Sequence, residues 1–244
     1  MAEARRRRSF WVYLSTVPNT LTEVLFIFPV LLFYHLGTHI TSLRNGVDLV
    51  SVFLAELYMR VPYSVFAVNA LVVVAFVVLY SMARKNEDFK IGMLGAVLLE
   101  SLVYALTMGT LIVVVLIYIF RMHPPVMAPG VVERWFNVVY ISAGAGLHEE
   151  LVFRLLMFGG TVYLLEEHTR VERGAALAIG LALSSVLFAL AHHVPPHGEP
   201  LALWPLAFRT LAGVFFGVLY RLRGLSVAVY THMFYDIYVL GWTG

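Results

Sequence analysis

The chain has 244 residues, 60% of them hydrophobic and only 13% charged, with a mean hydropathy of +0.82 and a formal net charge of +2. Soluble globular proteins run at about 45–50% apolar and about 25% charged, so the composition is that of an integral membrane protein with little extramembrane mass. The small net charge gives no support to a nucleic-acid role, and the absence of cysteine excludes disulfides, thiolate metal sites and a cysteine nucleophile.

In chain order, the arginine run Arg5, Arg6, Arg7 and Arg8 comes first. No compact apolar core with a small-residue cleavage site follows it, so it is read as a retained cytoplasmic anchor. A membrane span needs about 20 predominantly apolar residues. The first lies at about 24–40, with Pro29 as an expected kink, and the clearest is 63–83, closed by Arg84, Lys85 and Lys90. Between them, residues 47–60 carry Asp48, Glu56 and Arg60 among apolar positions and read as an interfacial amphipathic helix, a role that 10–20 could share. A third span, 91–120, is longer than one crossing needs and precedes a loop marked by Pro124, Pro125 and Pro129. Four more follow at about 136–165, 174–193, 201–222 and 225–241. The expectation is an all-α, polytopic helical bundle of about seven transmembrane helices (six to eight), with an intramembrane polar cavity. With the N-terminus in the cytoplasm, eleven basic residues fall inside (Arg5–Arg8, Arg84, Lys85, Lys90, Arg170, Arg173, Arg221, Arg223) against four outside (Arg44, Arg60, Arg121, Arg134).

Three pairs place charge or imidazole inside these apolar stretches, where a charged residue at the bilayer centre costs roughly 2.5–3.5 kcal/mol on insertion scales. They are Glu149-Glu150-x-x-x-Arg154, Phe188-x-x-x-His192 and His232-x-x-x-Asp236. Residues four apart share a helix face, whereas neighbours are turned by about 100°. Glu150 and Arg154 therefore stack as a structural ion pair with the acid N-terminal to the base. Glu149 points elsewhere, towards a site in which a desolvated carboxylate could serve as general base for water. Phe188 packs beside His192 and limits its rotamers. His232 and Asp236 could share one cavity, with Asp236 orienting the imidazole. The alternative is metal ligation by Glu149, His192, His232 and Asp236, a His/carboxylate set suited to zinc although not at the spacing of HExxH. Ser184 and Ser185 are small residues that permit close helix packing rather than nucleophiles. Glu100 and Arg209, also within spans, are second-rank candidates that could pair with the site or with each other. His35 and His39 read as interfacial, and His148 as a packing residue.

These signatures, in this order, resemble the CAAX protease and bacteriocin-processing (CPBP, Abi-type) family of intramembrane endopeptidases. The resemblance covers roughly 136–236 and extends to Ser184-Ser185, Gly213-x-x-x-Gly217, Tyr220-Arg221 and Ser226. It divides the chain into N-terminal membrane helices and interfacial segments at 1–130, without a recognised motif, and core helices at 131–244. It implies peptide-bond hydrolysis in a cavity between helices, with Glu149 and His192 activating water, His232 and Asp236 stabilising the oxyanion, and Glu150, Arg154 and Phe188 in support. The last position is often asparagine in the family. An ionised Asp236 only accepts hydrogen bonds, so it must be protonated, orient a cationic His232, or bind a metal; orientation of His232 is the expected role.

The expected substrate is a membrane-associated protein or peptide, lipidated or with a C-terminal anchor segment. No cofactor is required on this reading, with zinc or another divalent ion as the alternative. The alternatives to an endopeptidase are an immunity or scaffold protein on the same fold, and an ion or proton transporter using Glu100, Glu149, Arg209 and Asp236. The compact size and arginine-rich composition lean towards a bacterial inner membrane. Gly213-x-x-x-Gly217 fits packing within one chain or between two.

Overall fold

The computed structural model describes residues 17–37, 40–41, 60–61, 64–124, 135–194 and 200–242. The arginine run lies outside these residues, as do nearly all of the two segments expected to be interfacial, His39, Pro125 and Pro129. All seven expected apolar stretches are helical, and there is no strand among the described residues. They comprise α1 (Thr20–Gly37), α2 (Ser64–Ala83), α3 (Leu94–Tyr118, entered by a 3-10 turn at Ile91–Met93), α4 (Trp135–Glu149), a π-helix π1 (Glu150–Gly159), α5 (Gly160–His168), α6 (Arg173–Ala191), α7 (Leu203–Arg223) and α8 (Leu225–Trp242). Among the described residues, four helical runs are long and apolar enough to cross a membrane: Thr20–Gly37, Ile91–Tyr118, Arg173–Ala191 and Leu203–Arg223. The stretch expected as one span at 136–165 is helical throughout, with α4, π1 and α5 following one another without a break.

Helix α8 is the axis of the bundle, packed against α3 and α4 and touching α1, α7 and π1. Its residues from Ser226 to His232 are buried. The large apolar side chains that remain exposed, such as Leu71 and Val74 on α2, Leu102 and Leu106 on α3, and Ile179 and Leu183 on α6, form the surface for lipid. Small residues set how closely the inner helices approach. A Cβ on Gly146 of α4 would stand 2.7 Å from the Val229 carbonyl oxygen of α8, and one on Gly213 of α7 would stand 2.7 Å from Ser185 Cα of α6. Gly213 therefore serves packing within the chain, and Ser185 is the small residue it meets. The hydroxyls of Ser184 and Ser185 both donate to the Leu181 carbonyl, at 3.2 and 2.7 Å. Such bonding within the helix spends the hydroxyl inside a membrane.

Away from the motif residues, Glu100 of α3 receives two hydrogen bonds from Arg223 of α7, from Nε at 2.6 Å and Nη2 at 2.8 Å, and one from the Tyr104 hydroxyl at 2.9 Å. The partner of Glu100 is thus Arg223 rather than Arg209. This forked pair joins α3 to the end of α7, the point from which the chain turns into α8. Removing one member of a buried pair leaves an uncompensated charge, whereas replacing both with apolar groups is often close to neutral. Arg223→Met is expected to lower the thermal midpoint in detergent, and Glu100→Leu combined with it to recover much of the loss. Additive losses would contradict the pairing.

Candidate functional site

The three motifs meet where π1, α6 and α8 converge. α4 reaches this point through Gly144, Ala145 and Gly146, small enough to lie against the Tyr34 ring of α1 and the backbone of α8. The buried His148 donates from Nδ1 to the Gly144 carbonyl at 2.9 Å, and its ring lies edge-on to Tyr34 at 4.9 Å, so it packs as expected. Glu149 then closes α4, and Glu150 opens π1. A π-helix is wider than an α-helix, forms i to i+5 hydrogen bonds, and is found mostly as single turns at functional sites; a run of ten residues is unusual. Hydrophobic periodicity carries no mark of it.

Glu150 and Arg154 are fully buried and form the expected ion pair, Nε to Oε2 at 3.2 Å. The guanidinium is enclosed by two aromatic faces, Phe188 at 4.4 Å and Phe216 at 5.2 Å from ring centroid to Cζ. Its Nη2 also reaches the Gly213 carbonyl at 3.5 Å. The other oxygen of Glu150 accepts a 2.7 Å hydrogen bond from His232 Nδ1. The orienting partner of His232 is therefore Glu150, 82 residues earlier, and not Asp236 on its own helix. Phe216 fixes the second degree of freedom of the ring by stacking on it at 4.6 Å and 19°. Phe216 is the residue that the motif reading missed. Its signal in the sequence is an aromatic one helical turn after Gly213, on the face that meets α6.

With Nδ1 committed, His232 turns Nε2 towards two carboxylates, Glu149 Oε2 at 3.8 Å and Asp236 Oδ2 at 3.7 Å. His192 sits just beyond the end of α6 and donates from Nδ1 to the Phe188 carbonyl at 2.8 Å, the i to i−4 contact that the motif spacing allows. The Phe188 ring lies 5.0 Å from the imidazole, as expected. That hydrogen bond leaves Nε2 of His192 facing Glu149 Oε2 at 3.7 Å. Glu149 is thus the common neighbour of both imidazoles, while Glu150, next in sequence, faces Arg154. The side chains of Glu149 and His232 are 5 and 6% exposed, those of His192 and Asp236 26 and 23%, so the cluster opens on the side of the latter pair. Arg209 of α7 lies close enough to His192, Tyr235 and Asp236 to act on each electrostatically.

Gaps of 3.7–3.8 Å are too long for direct hydrogen bonds. They are also wider than the edge of about 3.4 Å that tetrahedral zinc with nitrogen and oxygen ligands imposes. Among the described residues no three histidine, aspartate or glutamate side chains stand as a metal-holding group. Bridging of two polar groups by one water suits such spacings.

Residues 131–238 match the family model described as Rce1-like, type II CAAX prenyl endopeptidase. The resemblance drawn from the motifs is borne out over that region. Neither a curated protein nor a solved structure matches the chain.

The two adjacent glutamates are expected to respond differently to substitution. Glu150→Ala strands a fully buried guanidinium and should lower stability by roughly 3–5 kcal/mol, read as a large fall in thermal midpoint. Glu149→Gln is isosteric, and the imidazoles of His192 and His232 stand 3.7 and 3.8 Å from Glu149 Oε2, so the midpoint should stay nearly unchanged. Equal losses would contradict the division between a structural and a site-facing carboxylate.

Proposed function

We propose that the chain is a glutamate-type intramembrane endopeptidase that hydrolyses a peptide bond near the membrane anchor or C-terminus of a membrane-associated substrate. The observation that carries this reading is Glu149 standing between two imidazole Nε2 atoms, each too far for a direct bond and near enough to share a water. Water held by Glu149 and by the Nε2 lone pair of His192 loses its proton to Glu149 as its oxygen adds to the carbonyl carbon. Negative charge develops on the former carbonyl oxygen. His232 meets it with Nε2–H, its imidazolium form held by Glu150 at one nitrogen and faced by Glu149 and Asp236 at the other. The tetrahedral intermediate then collapses, the C–N bond breaks, and the proton on Glu149 passes to the leaving amine. Groups aimed in advance at the developing charge supply much of such catalysis.

With His232 oriented by Glu150, the place of Asp236 on this reading is electrostatic: its carboxyl keeps the imidazolium charged until the oxyanion forms, or in its protonated form donates a hydrogen bond to it. The reading needs no metal. The polar cluster would lie in a seven-span bundle with the N-terminus in the cytoplasm of a bacterial cell, and the apolar flanks would admit a lipidated or C-terminally anchored substrate from the bilayer.

Protein termini in membranes of cells carrying the wild type or Glu149→Gln, at matched expression, test the reading by mass spectrometry. A defined set of new termini seen only with the wild type supports it and names the substrates. Coincident profiles where loss of the protein has a phenotype would support a scaffold role instead. Glu149→Gln and His192→Ala should each lower cleavage by at least about 10²-fold, the scale on which general bases contribute. Asp236→Asn, which still offers a hydrogen bond to an oxyanion, should retain far more activity than Asp236→Ala. Cleavage should also survive dialysis against a strong chelator; loss that zinc restores would replace the glutamate mechanism with a metal-dependent one.

A further inference from the structure

We propose that Glu23 of α1, more than a hundred residues before the region matched by the family model, is a positioning residue for the candidate site: its carboxylate caps the N-terminus of α8 and sets the height and rotation at which His232 and Asp236 are presented. Only the activity readout below rests on the endopeptidase reading.

The first turn of any α-helix leaves backbone N–H groups without partners. α8 has no side chain of its own to meet them. α7 ends at Arg223, α8 begins at Leu225, and the single residue between them is Gly224. Gly224 adopts φ +95°, a conformation that L side chains rarely adopt, and a Cβ there would also meet the Glu23 carboxylate. The cap is therefore supplied from another helix. Glu23 Oε2 accepts the hydrogen bond of the Ser226 N–H, and the carboxylate also faces the Leu225 N–H. A carboxylate at this end of a helix is favoured by the peptide dipoles as well.

A second tie lies one turn deeper, where the Tyr230 hydroxyl donates to the Phe26 carbonyl at 2.8 Å. α1 thus grips α8 at Ser226 and at Tyr230, and His232 follows two residues later. From Ser226 to His232 is six residues, about 9 Å of helical rise, too short a lever for bending to absorb an error at the cap. α1 is itself anchored. Glu87 Oε2 accepts from the Leu21 N–H at 2.7 Å, Thr22 Oγ1 from the Lys90 N–H at 3.1 Å, and Asn19 Oδ1 from the Thr22 N–H at 3.0 Å. The loop after α2 seats α1, α1 seats α8, and α8 carries half of the cluster.

The experiment uses the full chain purified in detergent as wild type, Glu23→Ala, Glu23→Asp and Glu23→Gln. One readout is kcat and KM for an S-farnesylated peptide with a free C-terminal carboxylate. The other is the imidazole N–H signal of His232 in ¹⁵N-histidine-labelled protein, assigned with His232→Ala and independent of activity. Glu23→Ala and Glu23→Asp, which remove or retract the acceptor, should lower kcat by roughly 10²-fold with KM little changed, the effect of a misplacement of about 1 Å. Both should shift the His232 signal. Glu23→Gln keeps an acceptor oxygen at the same reach and should restore kcat and the signal to near wild type. The proposal is overturned if Glu23→Asp leaves kcat and the His232 signal unchanged, or if activity falls only in proportion to the folded fraction. Should Glu23→Ala not fold, Glu23→Asp against Glu23→Gln still decides. A wild type that does not cleave the peptide but whose His232 signal moves in Glu23→Asp would count against the endopeptidase reading and for the positioning role.

Discussion

Glu150 is the point on which the arrangement depends. One of its oxygens faces Arg154 and the other accepts the hydrogen bond of His232, and neither Glu150 nor Arg154 is accessible to solvent. A buried charge pair returns its desolvation penalty only where geometry is good and the remaining polar atoms have company. Here Phe188 and Phe216 close over the guanidinium and the Gly213 carbonyl lies at its edge, so one cation draws π1, α6 and α7 together. The same two rings then guide the imidazoles, Phe188 beside His192 and Phe216 flat against His232. Packing of the core and alignment of the cluster are in this respect one set of contacts.

On the proposed reading, structural and chemical duty are separated by a single step in sequence. Glu150 turns inward to partners that hold it tightly, while Glu149 turns to a space bounded by two imidazoles at distances no direct bond would choose. A carboxylate held between a buried guanidinium and an imidazole N–H is a poor acceptor of a further proton. On the proposed reading, the carboxylate between the two imidazoles is the one that takes a proton up and gives it back.

Much of this was legible in the sequence, and the limits have a physical source. The i, i+4 spacings placed Glu150 by Arg154 and Phe188 by His192, because contacts within one helix follow from its pitch alone. The same reasoning gave His232 to Asp236, its neighbour on the helix, when the orienting bond comes from Glu150 on another element. It also left Glu100 between Arg209 and the site, when Arg223 of α7 holds it across 123 positions. Spacing determines which residues share a face and says nothing about which helix that face meets. The π-helix was illegible for a different reason: an apolar stretch reads as helical whether its hydrogen bonds close four or five residues back. The long stretch at 136–165 is accordingly helical from end to end, as expected, with a change of hydrogen-bond pattern that its composition does not mark.

Among the described residues, the four helical runs long and apolar enough to cross a membrane do not include α8, nor any part of α4, π1 and α5. The segments that carry Glu149, Glu150, Arg154, His232 and Asp236 thus all lie outside those four runs. Their charges become tolerable in the bilayer only against one another, with α6 and α7 closing over them. Biogenesis and assembly of the site are then coupled: the apolar helices can enter the membrane as independent units, while the polar ones are stable there only as part of a finished bundle. A lesion in the buried ion network would be felt first by the machinery that inserts and surveys membrane proteins, and only afterwards by any substrate.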